Sequence, residues 1–151
     1  MVKAVSKDFI WELLEKIPDP EIPAVSIVDL GITREVIFKD DQIHITITPT
    51  YSGCPAISFM KKEIVRSLEQ NGINNYQIHT TLSPPWTTDW MSDEVKAKLS
   101  DAGIAPPGKL VHCPQCDTKN VEVISEFGST ACKALYKCND CQEPFHHFKQ
   151  F

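Results

Sequence analysis

Two C-x-x-C pairs, Cys113-Pro114-Gln115-Cys116 and Cys138-Asn139-Asp140-Cys141, constrain this chain more than any other feature. Each pair sets two thiols on one tight turn, close enough to grip one ion from the same side. The 21 residues between the pairs give room for two or three short strands. Four thiolates close a tetrahedron and leave no open position, so an ion held there is structural, and zinc is the expected metal. A rubredoxin-like iron is the rival, because four thiolates also suit iron. His112, His146 and His147 lie nearby, but two intact pairs make a histidine ligand unnecessary. Some 40 residues bearing Leu110, Val111, Val121, Val123, Ile124, Phe127, Leu135, Tyr136, Phe145 and Phe148 cannot readily bury a self-sufficient core, so metal binding would help to fold the segment. Residues 107–151 are therefore expected to form a small zinc ribbon with Cys113, Cys116, Cys138 and Cys141 as ligands.

The compartment decides between metal and disulfide. The first eight residues carry no apolar leader, and no later apolar run approaches the ~20 residues of a membrane span. That places the chain in the cytoplasm, where paired cysteines read as metal ligands. The formal net charge is −5, and the ribbon itself balances five lysines against five acidic residues. An electrostatic footprint for phosphates is missing, so neither nucleic acid nor a membrane surface is an expected partner.

Ahead of the ribbon, Phe9, Ile10, Leu13, Leu14 and Ile17 form the stripe of an amphipathic helix over residues 7–17. Three prolines within residues 18–23 then dictate a stiff loop, with Asp19 and Glu21 expected to be presented to solvent. Residues 32–38 and 43–48 read as a hairpin turning at Asp40-Asp41. Strict alternation puts Ile43, Ile45 and Ile47 on one face and His44, Thr46 and Thr48 on the other. His44 reads as a solvated strand residue. A second amphipathic helix spans residues 55–71 and stops at Gly72; a third strand covers 76–82, with His79 facing away from Tyr76 and Ile78. A short helix from Ser92 or Asp93 to Ala102 and the break at Pro106-Pro107-Gly108 complete the segment. The fold class is α+β: a two-layer α/β sandwich of order α-β-β-α-β-α over residues 1–106, with a mainly antiparallel sheet, followed by the ribbon.

Cys54 is the most chemically suggestive residue of this first part. Pro55 suits the first position of a helix, which puts Cys54 at the N-cap facing unpaired N–H groups and the positive end of the macrodipole. Both favour thiolate, a nucleophile or soft-metal ligand. A buried cysteine chosen for its size beside Gly53 explains the residue equally well. A hydrolase would need a histidine base, and only His44 and His79 are at hand, neither within a motif. Cys132, outside both pairs, reads as a packed small side chain rather than a reactive thiol.

Asp19-Pro20-Glu21, Val28-Asp29-Leu30-Gly31, Thr48-Pro49-Thr50 with Cys54-Pro55, and Trp86-Thr87-Thr88-Asp89-Trp90 resemble the SufT-like iron-sulfur assembly domain family over about residues 8–104. The ribbon, above all residues 125–138 with Glu143-Pro144-Phe145, extends the likeness to the PaaD (also PaaJ) family, a component of the bacterial phenylacetyl-CoA epoxidase system. This resemblance implies an accessory protein of phenylacetate degradation, not an enzyme. The sequence holds one Glu-x-x-His, Glu143 to His146, where a di-iron centre takes two, and no Gly-rich dinucleotide fingerprint. It implies assistance in iron or iron-sulfur cluster insertion into the reductase or oxygenase, with Cys54 as a transient ligand. A cluster usually takes four protein ligands, so the others would come from a second protomer, a client or a small thiol. The competing expectation is a stable, non-catalytic adaptor within the oxygenase complex. In either case the implied partners are the other components of the system, particularly the reductase, and a homodimer is left open.

Overall fold

The computed structural model describes residues 5–51 and 53–150. Residues 1–4, on which the reading of the N-terminus partly rests, and Ser52 of the Cys54 loop lie outside the described residues. Helix α1 (Lys7–Glu15) starts where the Ser6 hydroxyl accepts the N–H of Phe9, and it buries Ile10, Leu13 and Leu14. Strands β1 (Thr33–Lys39) and β2 (Gln42–Ile47) form the expected hairpin. Its turn residues Asp40 and Asp41 both take positive φ, the conformation that a two-residue hairpin of matching twist needs and that aspartate tolerates. Helix α2 (Ala56–Gln70) follows, with Met60, Ile64 and Leu68 buried, and Gly72 at φ 76° ends it. The chain then enters β3 (Tyr76–Thr80).

The sheet order is β1-β2-β3, with β2 in the centre. β1 is antiparallel to β2, but β3 runs parallel to it, pairing Ile45 with Ile78 and Thr46 with His79. The expectation of a mainly antiparallel sheet therefore fails here. A 15-residue helix between β2 and β3 carries the chain back to the end from which β2 began, as a parallel crossover requires. Ile43, Ile45 and Ile47 are all buried, as their alternation predicts. Thr48, by contrast, is only 1% exposed, because the strand has ended at Ile47 and the chain turns inward.

The proline-rich loop departs most from expectation. Asp19 is buried, not presented: its Oδ1 accepts the N–H groups of Glu21 and Ile22, each at 2.9 Å. Ser26 and Asp29 cap one another reciprocally at 3.0 Å, and Pro18 bridges to Ser26. Trp86 is buried, and its indole N–H donates to the Leu30 carbonyl at 2.8 Å. The loop is thus built from its polar side chains, each spent on backbone groups that the prolines and tight turns leave unpaired.

Packing divides the chain after Trp86, not at the 106/107 boundary that the proline pair marks. The second unit contains a 3-10 turn (Thr88–Trp90), helix α3 (Asp93–Asp101) capped by Ser92, and strands β4 (Ile104–Ala105), β5 (Val121–Ser125), β6 (Lys133–Cys138) and β7 (Pro144–Phe148). The four strands form one sheet of order β4-β7-β6-β5. Ile104 and Ala105 pair with His146 and His147, which ties the segment before Pro106 to the ribbon and accounts for the earlier division. Among the described residues no helix is long and apolar enough to cross a membrane.

Replacing Trp86 by Phe keeps an aromatic ring and strips the Leu30 carbonyl of its donor. Urea unfolding of the variant should show a loss of about 1–3 kcal/mol. An unchanged midpoint would show that this bond does not hold the loop.

Candidate functional site

The Sγ atoms of Cys113, Cys116, Cys138 and Cys141 all lie within 4.8 Å of one another. Cys113 and Cys141 are 3.7 Å apart and Cys116 and Cys138 3.6 Å. A disulfide needs ~2.05 Å, whereas a tetrahedral ion with metal–sulfur bonds of ~2.3 Å sets its sulfurs about 3.8 Å apart. The donor set therefore fits one closed four-thiolate ion.

The two turns share one construction. The Gln115 N–H donates to Cys113 Sγ and the Cys141 N–H to Cys138 Sγ, at 3.4 and 3.3 Å. In each turn the residue after the second cysteine, Asp117 or Gln142, takes a left-handed φ of 61° or 67°. The turns are then tied together away from the sulfurs. Asn120 donates to Asp140 at 2.9 Å, the Asn139 N–H to the Asn120 carbonyl at 2.9 Å, and the Asn139 amide to Asn120 Oδ1 at 3.2 Å. Asn120 lies between the cysteine pairs with no motif around it, so sequence reasoning passes over it.

Crowding separates the thiols in acidity. Desolvation pushes Cys138 up, but the N–H groups of Cys141 and Asp140 and the Cys141 and Cys116 thiols outweigh it and bring the group down to about 7. At Cys141 the Glu143 N–H pulls down, while desolvation and the other three thiols push it up to about 12. Four thiols this close do not ionise together without a cation among them.

The sulfurs also serve as core. Cys113 and Cys138 are buried with Ala105 and Phe145, and Val111, Val121, Tyr136 and Cys141 pack around them. Leu110, Val123, Ile124 and Phe127 are between 47% and 68% exposed, so they add little to that core. Cys132 is buried, its Sγ 3.0 Å from Thr130 Oγ1.

In the first unit, Cys54 sits where β2 has run out and α2 begins. Pro55 has helical dihedrals (φ −67°, ψ −22°), and the Cys54 carbonyl accepts the Ile57 N–H. The N-cap of α2 is Pro55, so Cys54 stands one position ahead of the capping place that the sequence suggests for it. The side chain is 7% exposed, with Thr50 Oγ1 at 4.0 Å from Sγ. Thr50 also lines a cleft of about 140 Å³ with Thr48, Pro49, Tyr51, Leu82, Pro85 and Trp86. Among the described residues the buried Thr48 hydroxyl has no hydrogen-bond partner. His44 Nδ1 and His79 Nε2 bond to each other at 2.9 Å. The motif segments named above do converge in part: Trp86 joins Thr48, Pro49 and Thr50 around the cleft, and it clamps Leu30. Asp19 and Asp29 instead serve the loop backbone.

Comparison with known proteins follows the same division. A family model described as the PaaD zinc beta ribbon domain matches residues 103–149, and one described as an iron-sulfur cluster assembly protein matches residues 7–72. A protein of Escherichia coli (strain K12), provisionally named as the D component of 1,2-phenylacetyl-CoA epoxidase, is 46% identical over 149 residues, covering 93% of this chain and 90% of its own. The chain belongs to this PaaD family. The first part alone is similar to the Fe-S protein maturation auxiliary factor YitW of Bacillus subtilis (strain 168), 36% identical over 62% of this chain and 92% of that one. Among solved structures, a DUF59 domain from Bacillus anthracis is 29% identical and superposes with a TM-score of 0.57, covering 62% of this chain and 90% of its own. The α+β fold with a four-cysteine ribbon agrees with these likenesses.

Stripping the ion with a strong chelator should abolish the amide dispersion of β5, β6 and β7 while Thr33–Ile47 keeps its own, because ribbon metal contributes on the order of 10–16 kcal/mol near neutral pH. Because protons compete for the thiolates, metal should be retained near neutrality and lost as pH falls from about 7 toward about 5. A chelated protein with its ribbon signals intact would contradict metal-dependent folding. Asp117→Val, which forces a β-branched residue into left-handed backbone, should cost about 1–2 kcal/mol of metal-loaded stability by denaturant titration.

Proposed function

We propose that this chain is an accessory, non-catalytic component of a phenylacetyl-CoA epoxidase system, and that it passes iron or an iron-sulfur cluster to a client protein through Cys54. The client most in need of a cluster would be the reductase. The observation carrying this reading is the placement of Cys54, a solitary buried thiol at the mouth of α2, on the part of the chain that resembles proteins named as Fe-S maturation factors.

The chemistry follows from what one thiolate can do. A cluster bound to this chain alone would lack most of its usual four protein ligands, so it would be held briefly and surrendered to a site with more of them. Burial at 7% keeps the thiol from solvent and oxidants between transfers. Use of the thiol then needs the 48–55 loop to open. Gly53, at φ 79° with nothing within 4 Å of its missing Cβ, provides a natural hinge beside it.

In this reading the ribbon is the docking module, with Cys113, Cys116, Cys138 and Cys141 holding one structural zinc. The exposed Val123, Ile124 and Phe127 around the end of β5 offer an apolar contact surface, and the balanced local charge sets no electrostatic barrier. The ion takes no part in transfer because its coordination is closed.

Cys54→Ser changes one atom at a buried site and should leave the fold intact. In cells carrying the whole system it should lower the cluster content of the reductase and, with it, ring epoxidation. Unchanged cluster content would remove the transfer mechanism. Stoichiometric co-purification with the oxygenase, alongside a silent Cys54→Ser, would favour a stable adaptor in its place.

A further inference from the structure

The face of the first sheet that carries His44 and His79 presents a pair of imidazoles that neither the cysteine chemistry nor the core requires. His44 stands on β2 and His79 on β3, the latter paired with Thr46, two positions along from His44. Their side chains are diagonal neighbours across a parallel ladder, fixed there by register. His44 Nδ1 and His79 Nε2 are 2.9 Å apart, with the ring planes parallel to within 2° and the ring centroids 5.2 Å apart. The centroid separation exceeds the N···N distance by about one ring diameter. The two nitrogens therefore aim straight at each other, and the rings are arranged end to end.

We propose that this pair is a second metal site, a bidentate imidazole clamp for a divalent late first-row ion of tetragonal preference, nickel or copper. Metal–nitrogen bonds of ~2.0 Å at right angles set two cis nitrogens about 2.8 Å apart, whereas a tetrahedral ion wants about 3.3 Å. The observed 2.9 Å lies at the square edge, the geometry of nitrogen-bound nickel(II) and copper(II). Binding would turn each ring about 45° off the line on which the nitrogens now face, which gives up their mutual hydrogen bond for two bonds to one ion. A neutral imidazole can carry its proton on the nitrogen remote from the ion, so a neutral pair could bind through a tautomer change.

The surroundings suit an ion that is accessible and incompletely ligated. His79 is exposed and His44 half-buried, so the ion can enter while one ring is held. Glu35 stands opposite Thr46 on β1 and adds negative charge to the same face; Ile37 stands opposite His44. Lys39, opposite Gln42, is the nearest cation by register. Among the described residues no third histidine, cysteine or carboxylate completes a ligand group with the pair. The remaining positions fall to water or to a ligand from another molecule.

The test uses the full-length, zinc-loaded protein titrated calorimetrically with Ni²⁺ alone, alongside NMR of the imidazole ring protons. One further equivalent should bind, with the His44 and His79 resonances moving together, and His44→Gln or His79→Gln should each weaken binding at least about tenfold. Cys54→Ser should bind Ni²⁺ as the parent does, which separates this site from the thiol. Zinc content and far-UV dichroism of the variants establish that the fold and the ribbon survive. The proposal fails if no further equivalent binds, if binding persists unchanged in both histidine variants, or if the two rings show no response to saturating Ni²⁺.

Discussion

Four sulfurs brought within 4.8 Å of one another are an unfavourable arrangement in themselves. Against its desolvation, backbone N–H groups and neighbouring thiols bring Cys138 down to about 7, while against the Glu143 N–H, desolvation and the other three thiols push Cys141 up to about 12. The ribbon is nonetheless organised around them: each turn directs a backbone N–H at the sulfur of its first cysteine, adopts a left-handed residue after its second, and is laced to the other through Asn120, Asn139 and Asp140. Cys113 and Cys138 also make up half of a four-residue buried core. A dication reverses the sign of the crowding, since each thiolate is then attracted to the centre it was repelled from. The remainder of the ribbon is arranged so that this centre can form.

The first unit depends on a different constraint, the placement of β2. As the central strand it bonds to β1 on one side and β3 on the other, with Ile43, Ile45 and Ile47 in the core. Its last residue delivers the chain to Thr48 and the Cys54 loop, and its other face carries His44. Trp86, closing the segment that follows β3, reaches the Leu30 carbonyl and lines the cleft beside that loop. Strand register thus fixes both the thiol position and the imidazole pair.

What is legible in the sequence is local. Period and capping place both long helices, and α3 from Ser92 to Ala102, within a residue or two, because each follows from neighbours along the chain. The hairpin is legible for the same reason, and so are the four cysteines, whose spacing is itself the geometry. What escapes is long-range. The parallel pairing of β3 depends on where α2 returns the chain, and the His44–His79 contact depends in turn on that pairing. Asp19 reads as a surface carboxylate because proline runs are usually exposed; its burial requires knowing that the loop folds back so that Pro18 meets Ser26. Ile104-Ala105 is too short to show a period and is a strand only because β7 lies beside it.

On the proposed function two tasks stay apart in one chain: a closed metal centre would fold the ribbon, and a single buried thiol would handle iron or a cluster only in passing. Metal and acid-labile sulfide analysis of anaerobically purified protein tests this separation most directly. One zinc per chain with no sulfide, the same in the parent and in Cys54→Ser, is the expected result. Iron in the four-cysteine site, or stoichiometric sulfide that disappears with Cys54, would contradict it.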